Sequence, residues 1–94
     1  MSGYRIPGDV LEASLDDGRV LLNERTGMYH HLNRTGARIV EMLTRGETIE
    51  TVAESLARDG EESLERVRWD VHGFVTALVE RGLLAATSSD GLSL

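Results

Sequence analysis

The adjacent side chains of Tyr29, His30 and His31 are the first candidates for chemistry in this sequence. Imidazole groups bind zinc and act as general bases. Successive side chains of a strand point to opposite faces, so His30 and His31 cannot hold one metal ion together. Because His72 is the only other histidine and cysteine is absent, we expect no zinc site and no cofactor. No motif supplies a nucleophile or an orienting acid for a histidine base, so we predict that the protein is not an enzyme.

The strand that carries these side chains is predicted over Met28 to Leu32. Turn signals precede it at Asp17-Gly18 and at Glu24 to Gly27, and no comparable strand pattern follows until the chain is nearly finished. A strand placed last is expected at the edge of its sheet, where unpaired N–H and C=O groups form a template for another chain. The sequence therefore indicates a protein that holds an extended peptide.

Two earlier strands complete the predicted sheet. Residues Val10 to Leu15 alternate apolar and polar side chains, which is typical of a half-buried strand. Asp17-Gly18 favours a tight hairpin, and Val20 to Asn23 supplies the returning strand. Gly27 suits the second connection because glycine adopts the left-handed conformation without a penalty. We therefore predict a three-stranded antiparallel meander with its first and third strands at the edges.

Three helices are predicted after the sheet, each with an N-cap, an apolar stripe and a terminating glycine. The expected caps are Asn33, Thr48, and Ser63 or a neighbour of it, and the expected ends are Gly46, Asp59-Gly60 and Gly82. The stripes are Ala37, Ile39, Val40 and Leu43, then Ile49, Val52, Ala53 and Leu56, then Leu64, Val67, Val71, Phe74, Val75 and Leu78. The predicted fold class is α+β and winged helix-turn-helix-like, with a three-stranded antiparallel sheet followed by three helices.

The length of 94 residues is enough for one domain with a single modest core. We expect an N-terminal arm over residues 1–9, the domain over 10–86 and a flexible tail over 87–94. Within this domain, Leu83 to Ala86 either packs back or forms a short final strand. No signal peptide or membrane-spanning segment is visible, and the absence of cysteine is compatible with a reducing compartment. The expected location is the cytoplasm.

The charge of the chain argues against nucleic acid as a partner. Sixteen acidic residues face ten basic ones, all of them arginine, and the formal net charge is −6. The third predicted helix mixes acidic and basic residues, which is a poor track for phosphates. A winged-helix transcriptional regulator stays the alternative, because the same helices can present a recognition helix to the major groove of DNA.

Three motifs in fixed order carry a resemblance to a known family. They are Tyr29-His30-His31-Leu32-Asn33, Val52-Ala53-Glu54-Ser55-Leu56, and Asp70-Val71-x-x-Phe74-Val75-x-x-Leu78-x-x-x-Gly82-Leu83-Leu84. Over about residues 10 to 86 the chain resembles the PqqD-like family of peptide chaperones, also called precursor-peptide recognition elements. It looks most like the free-standing leader-binding members of lasso-peptide pathways.

This resemblance implies a site and a set of partners. In the family, the leader of a precursor peptide adds as a strand beside the third strand and lies in a groove against the third helix. The implied peptide-binding residues are Met28, Tyr29, His30, His31, Leu32, Val67, Asp70, Val71 and Phe74. Lasso leaders resemble a Tyr-x-x-Pro-x-Leu pattern, so apolar pockets are expected. The implied enzyme partners are a transglutaminase-like leader peptidase and the cyclase that closes the ring.

Two residues of the third helix leave alternatives open. Asp70 lies on the shoulder of the apolar stripe, where it anchors an arginine, caps a loop or meets the leader. Trp69 lies roughly opposite the stripe, where a large aromatic side chain is unexpected unless a partner, a second copy or the tail covers it.

Overall fold

Five short strands and three helices form the part of the chain that the computed structural model describes, residues 3–87. In chain order they are β1 (Tyr4–Arg5), β2 (Val10–Leu15), β3 (Gly18–Asn23), β4 (Tyr29–Asn33), α1 (Arg34–Thr44), α2 (Ile49–Gly60), α3 (Leu64–Glu80) and β5 (Ala85–Ala86). The predicted α+β class, with a three-stranded antiparallel sheet before three helices, is confirmed. Apart from Thr87, the predicted flexible tail lies outside the described residues.

The main sheet has the strand order β2-β3-β4, so β2 and β4 are its edges. The tight hairpin differs by one residue from the prediction. Leu15 pairs with Gly18, so Asp16 and Asp17 are the two loop residues and Gly18 already belongs to β3. Glycine is needed there for space, because a Cβ on Gly18 would overlap the backbone carbonyl of Leu32.

A second, two-stranded sheet joins the two ends of the described chain. Tyr4 pairs with Ala86 and Arg5 with Ala85, in antiparallel register. The backbone N–H of Thr87 also donates to the carbonyl oxygen of Gly3 at 2.8 Å. Thus β1 lies inside the segment predicted as an arm, and the segment after α3 forms the short final strand that the sequence left open.

Side-chain caps start all three helices where the sequence predicts them. Asn33 accepts a hydrogen bond from the N–H of Gly36 at 2.8 Å, Thr48 from that of Thr51 at 3.0 Å, and Ser63 from that of Arg66 at 3.4 Å. The end of α2 differs in detail, because the left-handed residue is Glu61, with φ of 54°, one position after the predicted Asp59-Gly60. None of these helices has the length and apolarity to cross a bilayer.

The core lies between the inner face of the main sheet and the helices. Its completely buried side chains include Leu21, Leu32, Leu43, Leu78 and Leu83. The α3 stripe is buried at Val67, Val71, Val75 and Leu78, as predicted from its spacing, while Phe74 is only partly buried against the core.

Asn23 is the one buried polar side chain of the described core, with 2% of its surface exposed. Its Nδ2 donates to the carbonyl oxygen of Gly82 at 2.9 Å, and its Oδ1 accepts from the N–H groups of Arg25 and Thr26. A buried amide needs such partners to offset its lost hydration. Asn23 therefore ties the β3–β4 connection to the end of α3 and helps to fix β4 relative to that helix.

Candidate functional site

The free edge of β4 is set by its register with β3. The N–H of Asn23 donates to the carbonyl oxygen of Met28 at 2.8 Å, and the following pairs include Leu21 with His30 and Arg19 with Leu32. Because antiparallel pairs alternate, the backbone groups of His30 and Leu32 face β3. Those of Tyr29 and His31 point away from the sheet. The predicted edge strand is confirmed, and its outward N–H groups belong to these two residues.

A groove with a volume of about 710 Å³ runs beside this edge. It is open to the surface and lies between β4, the first turns of α1, the C-terminal end of α2 and one face of α3. Its lining residues are His30, His31, Leu32, Asn33, Thr35, Gly36, Arg38, Ile39, Leu56, Asp59, Gly60, Glu62, Val67, Asp70, Val71 and Phe74.

Seven of the nine residues predicted to bind peptide line this groove together. His30, His31 and Leu32 come from β4, and Val67, Asp70, Val71 and Phe74 come from α3. Met28 and Tyr29 lie outside it and line a smaller neighbouring pocket. The structure thus brings the strand and helix residues to one place, and their contact with a peptide stays a prediction.

The backbone of α1 comes close to α3 at one glycine. A Cβ on Gly36 would lie 3.1 Å from the Cζ atom of Phe74, so this position leaves little room for a side chain. On the side of β4, the ring of His30 contacts the phenyl ring of Phe74 edge-on, with the two ring centroids 6.1 Å apart. Phe74 is therefore held between β4 and α1, with its remaining surface facing the groove.

His30 also contacts a residue that the sequence did not single out. Nη1 of Arg81 lies 2.6 Å from Nδ1 of His30. A guanidinium only donates, so Nδ1 accepts and the ring proton of neutral His30 is on Nε2. Burial, the nearby positive charge of Arg81 and then His31 lower the pKa of His30 below its ordinary value of 6.5. The neutral form of His30, which its contact with Arg81 requires, is therefore favoured.

The sequence also did not predict the walls that α1 and α2 contribute to the groove. Arg38 of α1 donates to the carboxylate of Asp59 at 2.7 Å and to Ser55 at 3.3 Å, which closes the α1–α2 side of the groove. The apolar residues Ile39 and Leu56 complete this wall. The apolar stripes of α1 and α2 predict that Ile39 and Leu56 are buried, but they do not show which residues of a stripe lie at the margin of the core. The sequence therefore gave no signal that these two residues line the groove.

The two residues of α3 with open alternatives lie in different surroundings. Asp70 lines the groove, and no ion pair fixes it within residues 3–87. Trp69 is 81% exposed, the largest exposed fraction among the large apolar side chains of the described chain. This exposure agrees with the interface alternative, whereas the tail alternative concerns residues outside those described.

The fold and the groove define a class: a small α+β domain whose free strand edge forms one wall of a groove and whose helices form the other. The family model described as coenzyme PQQ synthesis protein D (PqqD) matches residues 18–84. The chain belongs to the PqqD family. The resemblance inferred from the three sequence motifs is thereby confirmed.

Two solved structures share this fold over most of the chain. The first is described as lasso peptide synthetase B1 complexed with the leader peptide, with 34% identity, a TM-score of 0.80, and coverage of 87% of this chain and 96% of that one. The second is TbiB1 in complex with the TbiA(beta) leader peptide, with 31% identity, a TM-score of 0.75, and coverage of 85% and 93%. No curated protein sequence matched the chain.

Proposed function

We propose that the protein binds the leader segment of a lasso precursor peptide as an added strand on β4 and presents it to the leader peptidase and the cyclase. It catalyses no step itself and works in the cytoplasm. The leader's main chain pairs with the outward groups of Tyr29 and His31, and its alternate side chains enter the groove toward Phe74. Affinity then comes from ladder bonds and apolar burial, and selectivity from the shape of the groove.

The observation that carries this proposal is the coincidence of a free strand edge and a groove with an apolar helix wall. An edge alone accepts any extended chain, and a groove alone accepts many ligands. Here β4 is both the edge of the sheet and one wall of the groove, while Val67, Val71 and Phe74 form the opposite wall. The two similar structures support the proposal, because both are complexes with leader peptides.

The DNA-binding alternative gains no support. On α3, Arg68 is held by Glu50 through bonds of 2.7 and 2.9 Å, so its guanidinium is already occupied by a carboxylate. Neither similar structure is described as a nucleic-acid complex. The overall negative charge opposes phosphate binding as well.

Amide hydrogen exchange measured by NMR tests the proposed pairing residue by residue. The N–H groups of Tyr29 and His31 exchange rapidly in the free protein and become protected when the leader is added, because only these groups gain partners. The N–H groups of His30 and Leu32 are already bonded to β3. Outward amides on the opposite edge, Ser14 among them, are the matched control and should not change. Protection on β2 with none on β4 would contradict the proposal.

A cleavage assay tests the adaptor role. A labelled precursor is incubated with the purified protein, with the leader peptidase, and with both. We expect binding without hydrolysis in the first case and the fastest leader removal in the third. Hydrolysis by the purified protein alone would show that it is an enzyme.

A further inference from the structure

Arg81 forms one side of a second pocket at the end of the groove. It follows the last residue of α3, and its backbone N–H caps the helix by donating to the carbonyl oxygen of Ala77 at 3.2 Å. Its half-buried side chain extends to His30 and lines a pocket of about 420 Å³ together with Gly27, Met28, Tyr29, His30 and His31. This pocket therefore adjoins the beginning of the free edge of β4.

The positive charge of Arg81 is not offset inside the described part of the chain. Five other arginines pair with carboxylates: Arg19, Arg25, Arg38, Arg45 and Arg68. Within residues 3–87, no carboxylate lies within ion-pair distance of Arg81. Its partner is the neutral ring of His30, with the distance of 2.6 Å described above. A protein with a formal net charge of −6 thus keeps a positive group at the peptide edge.

The contact with His30 also orients the guanidinium. One N–H is used by Nδ1 of the imidazole, and the other donors of the planar group stay available to a ligand. A guanidinium matches a carboxylate through two parallel hydrogen bonds, and a group already held in place loses less side-chain entropy when it binds. Arg81 therefore has the charge, the position and the restricted side-chain conformation that suit a carboxylate-binding group.

We propose that Arg81, held by His30, is a subsite for an aspartate or glutamate side chain of the leader. This inference rests on the proposed function and adds a specificity for charge that the apolar wall of the groove does not supply. The acidic residue lies at the end of the added strand that runs beside Met28 and Tyr29, because these residues form the rest of the pocket. The groove binds apolar side chains of the leader, and the pocket selects leaders with an acidic residue at one defined position.

Synthetic peptides provide the test. Fluorescein-labelled peptides with the Tyr-x-x-Pro-x-Leu pattern each carry one glutamate, placed at a different position within the pattern or beside it. Fluorescence polarisation compares the affinity of each peptide with that of the same peptide carrying glutamine at that position. We expect one position, at one end of the strand, at which glutamate binds about three- to tenfold more tightly than glutamine. R81Q should abolish this difference, and R81K should keep only part of it because lysine lacks the planar pair of donors.

R66Q is the matched control. Arg66 lies on the exposed surface of the same helix, outside both pockets, so the charge change is identical while the glutamate preference should persist. Thermal unfolding of R81Q checks that the backbone cap of α3 survives the substitution. If the peptides bind but glutamate and glutamine are equivalent at every position, the subsite is refuted and the proposed function stands. If no peptide binds the wild-type protein, both are refuted.

Discussion

Proline at His31 should prevent leader binding while the domain still folds. The N–H of His31 points away from β3, so its loss removes no bond of the sheet. The proline ring would occupy the path of an incoming strand, and one leader carbonyl would lose its donor. Leaving a buried carbonyl unpaired costs about 1 to 3 kcal/mol. Affinity should therefore fall by about five- to 150-fold, before any steric effect of the ring is added.

Three variants separate the backbone effect from other causes. H31A removes the imidazole, including its contact with Asp17 at 3.7 Å, and keeps the N–H, so it should bind far better than H31P. S14P places proline at an outward N–H of the opposite edge and should leave affinity unchanged. H30P removes an N–H that faces β3, so it should reduce stability as well.

Fluorescence polarisation with a labelled leader measures affinity, and thermal unfolding measures stability. H31P should change the free energy of unfolding by no more than about 1 kcal/mol, which corresponds to a shift in Tm of about 4 to 8 °C for a domain of this size. Normal leader binding by a folded H31P protein would refute strand addition at β4. Equal losses for H31P and S14P would show that the effect is not specific to this edge.

Three other predictions concern the core, the pH dependence of stability and the groove. N23A should lower the free energy of unfolding by about 2 to 4 kcal/mol, because the buried amide makes three hydrogen bonds, and denaturant titration measures the loss. Because the pKa of His30 is lowered in the folded protein, the folded state binds fewer protons than the unfolded state just below pH 6.5. The contribution of His30 to the free energy of unfolding should therefore be fully present above that pH and should be lost as the pH falls below it. Denaturant titrations at about pH 7.5 and about pH 5.5 measure this decrease, and H30Q should reduce it. Replacing the leader's leucine by alanine should weaken binding about ten- to 100-fold, from the 1.5 to 3 kcal/mol typical of an aliphatic side chain buried in such a groove. Binding should also change by less than about fivefold between about 50 and 200 mM salt, and a steep salt dependence with indifference to the leucine would favour electrostatic recognition instead.

Local patterns in the sequence were sufficient for most of the fold. Asn33, Thr48 and Ser63 start helices because their oxygens accept from first-turn N–H groups, and that chemistry depends on only a few neighbouring residues. The edge position of β4 followed from strand order. The pairing of β1 with β5 was not predicted, because two-residue strands at opposite ends of the chain carry no periodicity that a sequence pattern can reveal.

The candidate site was predicted in part for a similar reason. Val67, Val71 and Phe74 belong to a stripe whose spacing marks one helix face, so their common location was foreseeable. The contact between Arg81 and His30 joins residues 51 positions apart and depends on how the end of α3 packs against β4. Arg38 and Asp59 likewise meet only through the packing of α1 on α2. Such pairs depend on tertiary packing, which the sequence pattern does not show.

The pairing of β1 with β5 has a consequence for how the domain can be attached to another protein. Gly3 and Thr87 are hydrogen-bonded neighbours, and Gly3 lies beside Arg68 and His72, on a different face of α3 from the one that lines the groove. A linker joined directly before Gly3 or directly after Thr87 would therefore start from the same place, away from the groove. Residues 3–87 are therefore suited to fusion with a catalytic domain on either side, with the groove beside β4 left open.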